Sequence, residues 1–193
     1  MYAYNNLTEK DLEFYESMPI VQKVEFEGYP AFTICHGSPY RINEKKIPDT
    51  DRIREIMDGI DTDLIICGHT HIQNKFEYNG KVSLNTGALG VPLYSDGKSQ
   101  FLILRGDYKG WEGEFISLEY DVENVIKDME DAELDVRAPY WTYVTKHLLR
   151  EGKVSHGAVL GRAMALCREE CGQCIWPEVP EKYWEMAVKE MLG

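Results

Sequence analysis

The sequence predicts an α/β (α+β) part followed by a helical tail. Three observations carry this expectation. Between Thr8 and Tyr120, short apolar runs of strand length are separated by turn residues and interrupted by two helical stretches. The run Asp63-Leu64-Ile65-Ile66-Cys67 is apolar on consecutive positions, as expected of a strand covered on both faces. From about Val122 onward the apolar period becomes helical. The chain is therefore divided near Asp121, into an α/β part at 1–121 and a helical extension at 122–193.

Each element has a local reason. Thr8 opens a short helix with Asp11 at its third position, and Pro19 marks the stop. The runs Ile20–Glu27 and Tyr29–Cys35 read as strands joined across Glu27-Gly28. Thr50 caps a helix that carries Ile53, Ile56, Met57 and Ile60 at helical spacing. The stretch Lys75–Leu84 is a hairpin with Asn79-Gly80 as its tight turn. Two strand-like runs follow, Gln100–Leu104 and Gly113–Tyr120, with Arg105–Gly110 between them reading as a turn. Helices are predicted near Val122–Ala132, Pro139–Arg150, Ser155–Glu170 and Pro180–Leu192.

Composition narrows the function classes. The chain has 193 residues, a formal net charge of -12, and Lys and Arg scattered rather than clustered. Duplex nucleic acid and anionic membranes both reward basic patches, so neither is expected as a partner. No apolar run reaches spanning length, and Met1–Thr8 has neither a basic nor an apolar leader character. The five cysteines are an odd number, and Cys35 and Cys67 lie inside apolar strand-like runs. Reduced thiols in a cytoplasmic protein are expected rather than a disulfide framework.

The histidines concentrate the chemistry. His36 and His69 each stand just past the C-terminal end of a strand-like run, the rim where ligand sites gather in open α/β sheets. In Gly68-His69-Thr70-His71 the glycine is expected to allow a sharp bend, and the two rings to leave one side of an extended segment. Imidazoles so placed suit one metal ion or two neighbouring ones, and Mn, Fe, Zn and Ni all remain open. His36, His69 and His71 are the candidate metal ligands; no residue is singled out as catalytic.

At these residues the sequence resembles the calcineurin-like metallophosphoesterases. The family's late metal motifs, a Gly-His-x-His turn and an earlier His-Gly, correspond to Gly68-His69-Thr70-His71 and His36-Gly37. The stretch Asn85-Thr86-Gly87-Ala88-Leu89-Gly90 looks like the family's Asn-Pro-Gly-Ser-x-Gly segment, and the resemblance covers about Leu7 to Tyr120. It implies the second half of a β-sandwich with flanking helices, with a two-metal centre at the strand ends. It further implies that His36 and His69 ligate one divalent ion and His71 the other. The substrate would be a phosphoester, attacked by a metal-bridging hydroxide between ions roughly 3.5–4 Å apart.

The family's early motifs, Asp-x-His, Gly-Asp-x-x-Asp and Gly-Asn-His-Asp or Glu, do not occur. They supply the bridging aspartate and the histidine that assists the leaving group. Without a bridging carboxylate, repulsion between two cations is not offset. The chain therefore looks like half an enzyme: a truncated frame, a fragment, or a subunit completed by another polypeptide. Three readings stay open. One is a metal-dependent phosphatase or phosphodiesterase half-site, weakly active or inactive in isolation. The others are a degenerate non-catalytic remnant or binding module, and a mononuclear three-histidine zinc site. A complementing N-terminal half or a second copy of the chain is the expected macromolecular partner, since uncovered apolar faces and strand edges invite pairing.

Cys167, Cys171 and Cys174 lie close in sequence, but a fourth ligand at matching spacing is missing unless His156 approaches. Free thiols at a helix end are the simpler expectation. His147 and His156 read as surface or packing residues, and the aromatics of the tail as docking residues.

Overall fold

The computed structural model describes residues 5–193; the first half of the Met1–Thr8 stretch lies outside the described residues. The chain groups into two compact units, one running to Ala88 and including Gln100–Ile116, the other made of Leu89–Ser99 and Ser117–Gly193.

The first unit is a mixed α/β structure. Helix α1 (Glu9–Ser17) begins in a reciprocal cap, with Thr8 N–H donating to Asp11 at 2.8 Å and Asp11 N–H donating to Thr8 Oγ1 at 3.3 Å. Strands β1 (Val21–Val24) and β2 (Phe32–Cys35) pair antiparallel, and β2 runs parallel to β3 (Leu64–Cys67). Strand β3 is parallel to β5 (Lys81–Thr86), which closes a hairpin with β4 (Gln73–Tyr78). The resulting order is β1-β2-β3-β5-β4. Asn79 and Gly80 both take positive φ, +49° and +75°, as a two-residue turn of the predicted type requires.

A second, two-stranded sheet joins β6 (Ser99–Asp107) to β7 (Gly110–Leu118). Alternation decides what faces what. Phe32, Leu64 and Leu84, from β2, β3 and β5, form a buried cluster with Leu102, Leu104, Trp111 and Phe115 of the second sheet. Trp111 anchors it, edge-on to Phe32 at 5.0 Å and donating its indole N–H to the Pro30 carbonyl at 2.7 Å. Ile65, which points the other way from β3, is equally buried, so this strand is indeed covered on both faces. Helix α2 (Asp51–Asp58) is capped by Thr50 and buries Ile53, Ile56 and Met57; each such side chain contributes about 1.5–3 kcal/mol.

The second unit contains α3 (Val122–Asp131), α4 (Leu134–Arg137), α5 (Pro139–Glu151), α6 (His156–Cys171) and α7 (Glu181–Leu192). Its core gathers Val144, Val159, Ala163, Cys167, Tyr183 and Ala187. Leu89–Ser99 belongs to this unit: Tyr94 N–H donates to the Gly152 carbonyl at 2.6 Å, and Lys98 pairs with Glu119 at 3.3 Å. All five cysteines are free. Burial, with the Cys174 and Cys171 thiols beside it, pushes Cys167 up to about 11. His156 does not approach these thiols. It stands at the opposite end of α6, stacked on Trp141 at 4.0 Å and bonded to Thr145 Oγ1 at 2.7 Å.

Candidate metal centre

Strand pairing brings the backbones beside two of the three predicted histidines together. Ile34 and Ile66 are register partners on the parallel strands β2 and β3, and the ladder runs on past both strands, with Gly68 N–H donating to the His36 carbonyl at 2.9 Å. The His36 and His69 rings meet edge-on beyond the strand ends, with centroids 5.2 Å apart. The His36 side chain lies over Gly68, its Nδ1 at 3.8 Å from where a Cβ on that glycine would stand.

The turn that follows departs from the predicted geometry. Gly68 does not supply the bend. His69 and His71 do, with φ of +67° and +59°, a left-handed conformation that costs a non-glycine residue about 1 kcal/mol or more. Thr70 N–H donates to the Gly68 carbonyl at 2.8 Å, which closes a three-residue γ-turn around His69. The segment is therefore not extended, and the same-side argument for the His69 and His71 rings does not apply to it. His71 remains close enough to act electrostatically on His69.

Asn85, at the end of β5 and 1% exposed, meets this turn. Its amide Nδ2 donates to the Gly68 carbonyl at 2.5 Å and to Thr70 Oγ1 at 2.9 Å, while its Oδ1 accepts from Gly87 N–H at 3.1 Å.

The loop after His36 is equally constrained. A Cβ on Gly37 would stand 2.6 Å from the Ile42 carbonyl, 2.8 Å from that of Arg41 and 2.8 Å from the Glu44 nitrogen, so only glycine fits. Ser38, fully buried, accepts from the N–H groups of Tyr40 at 3.2 Å and Arg41 at 3.1 Å, and donates to the Glu44 carboxylate. Arg52 holds that carboxylate in a two-pronged pair at 2.7 and 3.2 Å. Hydrogen bonds from Arg52, then Ser38, pull Glu44 down to about 2. In the sequence the His36-Gly37-Ser38-Pro39 run stood out, but the part played by Ser38 did not, nor did Asn43 and Glu44.

Burial holds the His69 imidazole below its ordinary range, and the neighbouring His36, Lys45 and His71 act in the same direction, while a hydrogen bond to the Asn43 backbone works the other way. A ring kept neutral is a ring able to donate a lone pair to a cation. The donor set is nevertheless short. Among the described residues, no group of three His, Cys, Asp or Glu side chains is arranged to hold a metal ion. The nearby carboxylate, Glu44, is committed to Arg52 and Ser38. The residues present thus fit part of a metal site and do not make a whole one.

Comparison with known proteins agrees with the fold. The model of the calcineurin-like phosphoesterase superfamily domain matches residues 5–108. A hypothetical protein from Pyrococcus horikoshii OT3 superposes with a TM-score of 0.64 at 17% identity, over 80% of this chain and 59% of its own. A metallophosphoesterase from Sphaerobacter thermophilus does so with a TM-score of 0.59 at 20% identity, over 77% and 63%. The chain spans less than two thirds of either. Divalent metal ions and phosphoester substrates are what the family implies in general. Two strand ends carrying His-Gly and Gly-His-Thr-His, on a mixed sheet of this topology, and a family match over more than half the length lead to one conclusion: the chain belongs to the calcineurin-like phosphoesterase superfamily.

Proposed function

We propose that this chain belongs to a metal-dependent phosphoester hydrolase, a phosphatase or phosphodiesterase, and contributes the later half of a two-metal site through His36, His69 and His71. The observation that carries the proposal is the His36–His69 ring pair at the ends of adjacent parallel strands. A divalent ion of the Mn, Fe, Zn or Ni type, when bound, supplies Lewis acidity and a more acidic water. The chain's own part is to hold imidazoles at fixed points, with 1–121 as the hydrolase part and 122–193 as an extension.

The missing donors are carboxylates, and we assign them to a complementing polypeptide or a second copy of the chain. An apolar groove beside His36 supports this. Phe14, Tyr15, Met18, Ile20 and Ile42 line it and are all exposed. No helix among the described residues is long and apolar enough to cross a membrane, and a cytoplasmic setting is proposed. The short donor set favours a second reading, a non-catalytic binding module.

The test compares turnover of an aryl phosphate ester with excess Mn²⁺ in three samples. The isolated chain should run near background. Adding a polypeptide that carries Asp-x-His and Gly-Asn-His-Asp should restore turnover, and His69→Ala or His71→Ala should abolish it again. Failure of every complement, with the histidines dispensable, would favour the module.

A further inference from the structure

We infer that Asn85 is a positioning residue, whose carboxamide clamps the Gly68–His71 turn in the strained conformation that sets His69 against His36. The inference deepens the metal-site reading and rests on it for its purpose, but not for its geometry.

Two left-handed histidines separated by one residue are not a conformation that the local chain favours. They persist only if something outside the turn fixes it. The γ-turn bond between Thr70 and Gly68 is internal and disappears as soon as the segment extends. The β3–β5 pairing sets Asn85 opposite Cys67, the last strand residue before the turn. From there one side chain reaches both sides of His69: Nδ2 donates to the Gly68 carbonyl before it and to the Thr70 hydroxyl after it. Those two groups can meet one amide only while His69 bulges outward between them. The other end of the carboxamide is used as well, since Oδ1 accepts from Gly87 N–H. Gly87 itself takes φ +78°, and a Cβ there would strike Gln100 and Gln73 at 2.7 and 2.9 Å. The amide is therefore aimed from behind by its own strand end. Its near-complete burial makes an unmet donor costly, so the clamp is closed in the resting protein.

The chemistry demands this residue type. The Asn85 carboxamide supplies two N–H donors and an acceptor on one short arm. Aspartate is the same size but would turn a carboxylate oxygen toward the Gly68 carbonyl. Groups that orient ligands from behind typically change metal affinity by about 10–100-fold when removed.

The experiment uses the full chain and two readouts, the NOE between the His36 and His69 rings without metal, and Zn²⁺ affinity by calorimetry. Asn85→Asp, which retains the acceptor for Gly87, and Thr70→Val, which removes one arm on a partly exposed residue, guard against misfolding of Asn85→Ala. Loss of the ring NOE in Asn85→Ala and Asn85→Asp, with the α2 core resonances in place, supports the clamp even if the wild-type chain takes up no Zn²⁺. Failure of the metal reading is thereby kept separate. Where Zn²⁺ binds, Asn85→Ala and Asn85→Asp should weaken it by about 10–100-fold and Thr70→Val by less. An Asn85→Asp chain that keeps the NOE and binds as the wild type does would overturn the inference. So would a fall in affinity that only tracks a fall in melting temperature.

Discussion

Replacing Gly37 by alanine tests whether the loop after His36 is as tightly built as its contacts imply. The new methyl would lie 2.6, 2.8 and 2.8 Å from three backbone atoms, of Ile42, Arg41 and Glu44. Ordinary contact begins near 3.4 Å, so each atom must retreat by more than half an ångström. Retreat is blocked, because Ser38 N–H donates to the Arg41 carbonyl at 2.9 Å and the Ser38 hydroxyl holds the Arg41 amide and Glu44. Overpacking costs about 1–3 kcal/mol, and breaking one or two of those bonds adds about 1 kcal/mol each. A loss of about 2–4 kcal/mol is expected, a fall of about 1–2 M in the urea midpoint at ordinary m-values. Gly68→Ala is the control within the same unit. Its methyl would meet only His36, at 3.8 and 3.9 Å, and should change stability by less than about 1 kcal/mol. Matched urea titrations of the two variants decide the matter. Equal midpoints would refute the packing argument, as would a Gly37→Ala chain as stable as the wild type.

Two further outcomes follow from the same unit. Glu44 has a folded value of about 2 against an ordinary 4.5, so it contributes stability above pH 4.5 that is lost as pH falls toward 2. Glu44→Gln should therefore be less stable than the wild type at pH 7, with the two urea midpoints converging near pH 2; parallel curves would count against it. Gln73 Nε2 reaches the carbonyls of Phe101 at 2.9 Å, Ile116 at 3.1 Å and Thr86 at 3.4 Å, which ties β4 to both strands of the second sheet. Gln73→Leu should cost about 1–3 kcal/mol by thermal unfolding, and a neutral result would show that water replaces the amide.

Sequence pattern revealed the elements whose causes are local. Thr8 and Asp11, Thr50 with its Ile53, Ile56 and Met57 stripe, and the Asn79-Gly80 turn all form as their residues dictate. The doubly apolar β3 and the change to helices after Tyr120 were equally legible. Features set by partners distant in the chain were not. Nothing in Gly-His-Thr-His signals that the histidines, and not the glycine, take positive φ, because the cause is Asn85, fourteen or more residues on and brought near only by β3–β5 pairing. The Asn-Thr-Gly motif was visible, but its purpose was not. Strand β1 is shorter than its apolar run, and the four-residue α4 is too brief to leave a period. Leu89–Ser99 carries turn residues that give no hint of its packing with the helices.

Titrating the isolated chain with Zn²⁺ and Mn²⁺ in a calorimeter decides whether His36 and His69 are half of a divalent metal site. One weakly held ion per chain is expected, with water completing its coordination, and loss of that ion in both His36→Ala and His69→Ala. Two tightly bound ions would show that the chain's own donors suffice, and binding that survives both substitutions would show that the site lies elsewhere.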